Sequence, residues 1–353
     1  MKFPTIKYIG QLFIIELKSD SGEYFTEYNE VIDEAIKKYK VGGFIFFEKN
    51  IIDKLQVKLL IKKLNQNSSI PLFLAIDEEG GTVSRLKKIL KKPFPSHSEL
   101  GEKNDLDYTF ATAFKIGSLL KNTGFNIDFA PVADIIQDAN AYGANNISKK
   151  NTMLKNRTFG SDIKNSIPHC YNFYKGLDES GIIPCPKHFP GCGDAFNDLH
   201  KTNSFSMKTE KDLLNFDVKP YKLLIKSGCN LIMTGHNTFS KINETILIGG
   251  KQIVTPSSLS KNINTFLLRK KLKYKNVIIT DSLRMKSIQN SFTSQTITNL
   301  ALNAGIDILL MPENFKQYYE NVEHSAMIPD ALINQNIAAS ISRILALKKT
   351  KIL

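Results

Sequence analysis

The sequence predicts an α/β protein built as a single (β/α)8 barrel of the TIM type. Eight short apolar runs alternate with amphipathic helical segments, and the runs are apolar on both faces, as strands covered by helices must be. The length of 353 residues suits one such barrel. A doubly wound open sheet is the alternative, and it requires only that two of the weaker runs are not strands.

The elements follow in order. Residues 11–16 (QLFIIE) read as the first strand, and residues 28–40 as a helix with apolar positions at Val31, Ile32, Ala35, Ile36 and Tyr39. Residues 43–47 and 52–64 repeat the cycle. The third strand is 72–76, and its helix is delayed to 107–121 by an insertion holding Pro93, Pro95 and His97. The fourth strand, 125–129, leads through an Asn-rich connection to a helix over 162–180. The fifth, 181–186, runs into a segment, 187–200, expected to be a loop because Pro190, Gly191 and Gly193 disfavour regular structure. A helix over 212–227, a strand over 231–234 and a helix over 257–268 come next. The seventh strand is 277–280 with a helix over 293–304, and the eighth is 306–311 with a last helix over 331–347. Neither an internal repeat nor a Pro/Ser-rich linker is visible, so residues 1–353 are expected to form one catalytic domain.

Composition places limits on function. Hydrophobic residues make up 42% of the chain, ample for a core. The formal net charge of +13 comes from lysines scattered over helical segments, without interleaved stacking aromatics, which argues against nucleic acid as a partner and leaves attraction of a small anionic substrate open. The four cysteines form no CxxC pair, so reduced thiols and a cytoplasmic setting are expected. The apolar run 9–17 is short, broken by Gln11 and Glu16, and lacks a small-residue cleavage site. No segment approaches the roughly 20 apolar residues that span a membrane.

In a barrel of this type, catalytic groups sit just past the carboxyl ends of the strands. Asp77-Glu78-Glu79 follows the third run, Asp134 the fourth, residues 187–200 the fifth, His236 the sixth and Asp281 the seventh. Adjacent acids at one mouth need cations to answer them, and Arg85, Arg157 and Lys187 are available, a pattern that suits polyol binding. A helix cap is the competing role for Asp281, but the apolar strand before it aims its carboxylate at the mouth. Asp198 two residues before His200 suggests an imidazole made more basic by a carboxylate, while a purely structural loop histidine is the competing reading. His188, Cys192, Asp194 and His200 are all capable zinc ligands, yet their spacing fits no zinc pattern, so a metal is not expected. No cysteine-protease sequence surrounds Cys192, which argues against a nucleophile.

Lys187-His188-Phe189-Pro190-Gly191, then Gly193, then Asp198-Leu199-His200 resembles the signature of glycoside hydrolase family 3 β-N-acetylglucosaminidases. The likeness extends to residues 42–47, to residues 75–81 with Val83 and Arg85, and to residues 129–134 and 157–160. It continues at Met233 with His236, and at residues 280–283 with Met285. The resemblance implies a retaining hydrolase that removes terminal non-reducing N-acetylglucosamine, typically from muropeptides in cell-wall recycling, with no metal or cofactor required. It implies Asp281 as nucleophile, His200 supported by Asp198 as general acid/base, and Asp77, Arg85, Arg157, Lys187 and His188 as holders of the sugar. Cys192 stands where the family often has histidine, and Leu199 where serine is common; neither supplies the proton or the nucleophile. A monomer acting on a small N-acetylglucosaminyl substrate is expected. A family 3 β-glucosidase or β-xylosidase and a non-catalytic sugar-binding barrel are the rival readings.

Overall fold

The computed structural model describes residues 6–137, 154, 156–194, 204–327 and 331–353. A six-stranded parallel sheet runs in the order β13 (Leu309–Leu310), β1 (Phe13–Glu16), β2 (Gly43–Phe46), β3 (Phe73–Ile76), β4 (Ile127–Asp128), β5 (Ile183–Pro184). A second parallel sheet has the order β12 (Val277–Thr280), β8 (Leu231–Thr234), β6 (Lys187–Phe189). The short pair β7 (Phe205–Ser206) and β9 (Thr238–Phe239) and the antiparallel hairpin β10 (Thr245–Ile248) and β11 (Lys251–Val254) lie outside both.

The closed eight-stranded barrel expected from the sequence is not formed: the curled six-stranded sheet is a half-barrel, and among the described residues it is joined to the second sheet by the isolated bridges Val132 to Lys187 and Ile279 to Ile308 with a few flanking backbone hydrogen bonds, not by a continuous ladder. The reasons are local. Pro184 and Pro186 lack amide hydrogens, so the fifth run cannot carry a continuous ladder and splits into β5 and β6. At the other seam the Leu310 amide donates to the Thr280 hydroxyl (3.0 Å) in place of a backbone carbonyl. The splitting also corrects the reading of residues 187–200 as irregular from their start, because Lys187–Phe189 pair with β8.

Helices cover the outside: α1 (Glu30–Lys37), α2 (Lys54–Asn67), α3 (His97–Lys103), α4 (Leu106–Thr123), α5 (Ile163–Glu179), α6 (Glu210–Asn215), α7 (Lys219–Lys226), α8 (Lys286–Gln289), α9 (Ser294–Ala304), α10 (Phe315–Met327) and α11 (Ala331–Lys351). Several start where a side chain accepts from the third amide of the helix, one of its orphan donors: Asn29 for α1, Asp53 for α2, Asp105 for α4, Thr293 for α9. The single helix expected over 212–227 is two, α6 and α7, and the one expected over 257–268 is a 3-10 turn followed by a π-helix, Asn262–Lys271. Strand alternation divides the core. Leu74, Ile76, Ile232 and Ile278 pack outward against helices, whereas Phe73, Ala75, Leu231, Met233, Val277 and Ile279 fill the interior. Ile344 and Leu347 of α11 join that interior cluster, and Lys348 lies over the Phe73 ring, donating to Gln11 Oε1 and the Gly42 carbonyl. The strands of the two parallel sheets therefore point their carboxyl ends away from α11, toward one mouth.

Candidate active site

A cavity of about 440 Å³ opens at that mouth, within the usual range for small-ligand sites. It is lined by the described residues to which the family resemblance gives a role, Asp77, Arg85, Arg157, Lys187, His188 and Asp281, whereas Asp134 and His236, candidates by position, lie behind its wall. Asp198 and His200 lie outside the described residues.

The pleat after β3 sorts the three adjacent acids. Asp77 and Glu79 face the cavity, while Glu78 turns behind it and accepts from the Ser84 hydroxyl and the amides of Arg85 and Leu86. Burial pushes the Glu78 carboxyl up to about 6. Lys187, 2% exposed, sits between the other two, its Nζ 2.7 Å from Asp77 and 2.6 Å from Glu79. Arg157 grips Glu79 with two parallel bonds of 2.8 Å, the geometry a planar guanidinium favours. Arg85 approaches Asp77 at 3.8 Å. Burial works against every charge here. Yet Lys187 and Arg157 hold Glu79 well below the usual range, and Asp77 and Glu79 hold the Lys187 ammonium above its own. The result is a fixed ionic lattice that presents donors and acceptors together, which is what the hydroxyl groups of a sugar require.

His188 has φ of +131°, a region that residues other than glycine rarely adopt, and this directs its ring toward Asp134, with Nδ1 2.6 Å from Oδ2. The other Asp134 oxygen accepts the Cys192 amide at 2.8 Å. A side-chain carbon on Gly193 would lie 1.7 Å from the Ile135 carbonyl oxygen, so glycine is required where this turn crosses the chain after β4. Burial pushes the Cys192 thiol well above its usual range, consistent with no role as a nucleophile.

Asp281 directly follows β12. Its amide donates to the Thr234 carbonyl at 2.9 Å, and its carboxylate accepts the Ser282 amide at 2.7 Å. His236 steadies this turn: Nε2 donates to the Ser282 carbonyl (2.9 Å), and Nδ1 pairs with the Ser258 hydroxyl (2.7 Å). Burial would raise the Asp281 carboxyl, but His236, His188, the Ser282 amide and Lys187 hold it below the ordinary range, so it is ionised at neutral pH. Among the described residues no three His, Cys, Asp or Glu side chains converge to hold a metal ion. Sequence reasoning left Glu79 without a role; the period-2 alternation of 77, 78 and 79 was the signal that pairs it with Asp77.

A strand-end cavity with an ionic lattice on one wall and an ionised, sparsely bonded carboxylate on the other is suited to holding a polyhydroxylated ligand. The family model described as the glycosyl hydrolase family 3 N terminal domain matches residues 6–347, and the chain belongs to that family. It is 29% identical to "Beta-hexosaminidase A" of Pseudoalteromonas piscicida over 98% of this chain and 61% of that protein. It is 28% identical to "Beta-hexosaminidase" of Glaesserella parasuis over 82% of this chain and 80% of that one. Among solved structures, a family 3 β-N-acetylglucosaminidase from Paenibacillus superposes with a TM-score of 0.85 at 27% identity, over 97% of this chain and 62% of that one. A β-N-acetylhexosaminidase from Beutenbergia cavernae, at 24% identity and TM-score 0.83, shares the fold over 99% of both chains. This chain thus spans under two thirds of the length of some relatives and nearly all of others.

Proposed function

We propose that this chain is a retaining glycosidase that removes terminal non-reducing β-N-acetylglucosamine from a carbohydrate substrate. The observation that carries the reading is the pairing, in one cavity, of the Asp77–Lys187–Glu79–Arg157 lattice with the ionised carboxylate of Asp281. The names of the relatives support the choice of sugar.

In this reading the lattice, with Arg85 and His188, fixes the sugar hydroxyl groups, and Asp281 attacks the anomeric carbon. His200, as imidazolium, gives its proton to the leaving oxygen; water then resolves the ester while His200, oriented by Asp198, takes the proton back. A muropeptide substrate in peptidoglycan recycling, a cytoplasmic setting and a monomeric state are the finer parts of the proposal. Comparing nitrophenyl N-acetylglucosaminide with nitrophenyl glucoside tests the main one. Hydrolysis of the first well above the second is expected; the reverse order would make the chain a glucosidase.

A further inference from the structure

Beside the catalytic cavity lies a larger one, about 680 Å³, that the proposed chemistry does not use. Its walls come from β1 and the turn after it, from α1 and from the start of α10, and Arg284 is the one described side chain that lines both cavities. Arg284 lies three residues past Asp281 and is held by Glu16, the last residue of β1, at 3.2 Å. The two cavities are therefore neighbours along the same row of strand ends.

The second cavity has its own chemistry. Ile32, Ala35 and Phe44 give it an apolar floor, and Val31, 53% exposed, lines it as well. Two of its four carboxylates are answered: Glu16 by Lys18 (2.8 Å) and Arg284, and Glu34 by Lys38 and Lys316 (2.9 Å each). Asp20 and Glu313 are exposed and make no ion pair with any described residue. In a chain of net charge +13, that is a local reversal of sign facing one cavity.

We infer that this second cavity is the subsite for the leaving group of the glycoside, and that it takes a group longer than one ring, apolar along its middle, with an ammonium at its far end meeting Asp20 and Glu313. The inference rests on the glycosidase reading above. A sugar seated against Asp281 occupies the first cavity, and a leaving group that continues past Arg284, which lines both cavities, enters the second. Apolar walls supply area, and the two unanswered carboxylates supply sign.

The test uses the wild-type chain and N-acetylglucosaminides whose aryl-alkyl leaving groups, in a series of lengths, end in an ammonium, a carboxylate or a hydroxyl, with nitrophenyl N-acetylglucosaminide as the short control. At one optimal length the ammonium-ended compound should exceed the carboxylate-ended one about fivefold in kcat/KM, a preference that shrinks with added salt. The double variant D20N/E313Q should abolish that preference. Val31→Trp, which fills the cavity, should lower kcat/KM for all the long compounds about tenfold. Both variants should leave the nitrophenyl control within about twofold of wild type. No preference in the wild type, a preference that survives in the double variant, or long compounds untouched by Val31→Trp would each overturn the subsite. Failure of the wild type to hydrolyse even the nitrophenyl control would overturn the glycosidase reading, and the subsite with it.

Discussion

Two aspartates bracket the seam between β12 and β13 and could hardly be treated more differently. Asp307, fully buried at the amino end of β13, accepts five hydrogen bonds: from Arg269, twice from Arg343, from the Ser340 hydroxyl and from the Ile278 amide. Asp281, at the carboxyl end of β12, is half-buried, faces a cavity and accepts one described hydrogen bond, from Ser282. A saturated carboxylate has no lone pair left for chemistry and serves to fasten the π-helix and α11 to the strands. A carboxylate held ionised by neighbouring positive charge but bonded only once keeps its lone pairs for a substrate. Satisfaction, more than charge, separates the fastening end of the strands from the end proposed to react.

The sharpest way to break that contrast is to swap oxygen for nitrogen at each site. Asp281→Asn should lower kcat on the order of 10⁴-fold while changing unfolding free energy by about 1 kcal/mol or less, read by steady-state kinetics and denaturant melts. A large stability loss with residual activity would put Asp281 among the fasteners. His200→Ala should reduce turnover of substrates with poor leaving groups about 10³-fold and spare activated phenolate leaving groups, because the proton matters only where the leaving oxygen is basic. Equal loss on both types would remove His200 from the acid role. Asp307→Asn should do the opposite of the Asp281 change. Removing the buried counter-charge of two partly buried guanidinium groups costs about 3 kcal/mol, with kcat/KM of the folded fraction unchanged.

Glu78 lies between the extremes, near the mouth but carrying three hydrogen bonds. Folded, it keeps its proton up to about pH 6, whereas a glutamate with the ordinary value of 4.5 loses it sooner. The folded state thus binds more protons between those values, and stability falls as pH rises through that window, by about 2 kcal/mol. Subtracting the profile of Glu78→Gln from that of wild type isolates this term from other groups that titrate there. A difference that is flat from pH 4.5 to 6 would mean the carboxyl is not held in its protonated form.

Much of this was legible from the chain. The apolar runs located the strands because strands buried on both faces leave little room for polar residues, and positions just past them gave Asp77 and Asp281 without further help. Closure was not legible, because it turns on whether single amides find carbonyls: Pro184 and Pro186 interrupt one seam, and the Thr280 hydroxyl captures the Leu310 amide at the other. The hairpin β10–β11 was missed although Gly249-Gly250, both with positive φ, sits between its strands as a two-residue turn should. Partners far apart in sequence were invisible for a different reason. Nothing local to Glu79 announces Arg157, 78 residues on, and nothing local to Asp134 announces that it holds both His188 and the Cys192 amide. The helix α10 also escaped, since its apolar residues, Tyr318 and Val322 among them, are spread thinly among polar ones.

Asp281 is proposed to be the carboxylate left unsatisfied so that it can bond to a sugar. Trapping the enzyme with a slow fluorinated N-acetylglucosaminide, digesting it and mapping the labelled peptide by mass spectrometry tests this directly. The account predicts one sugar per chain, attached at Asp281. A label on any other carboxylate, Asp77 or Glu79 included, would contradict it.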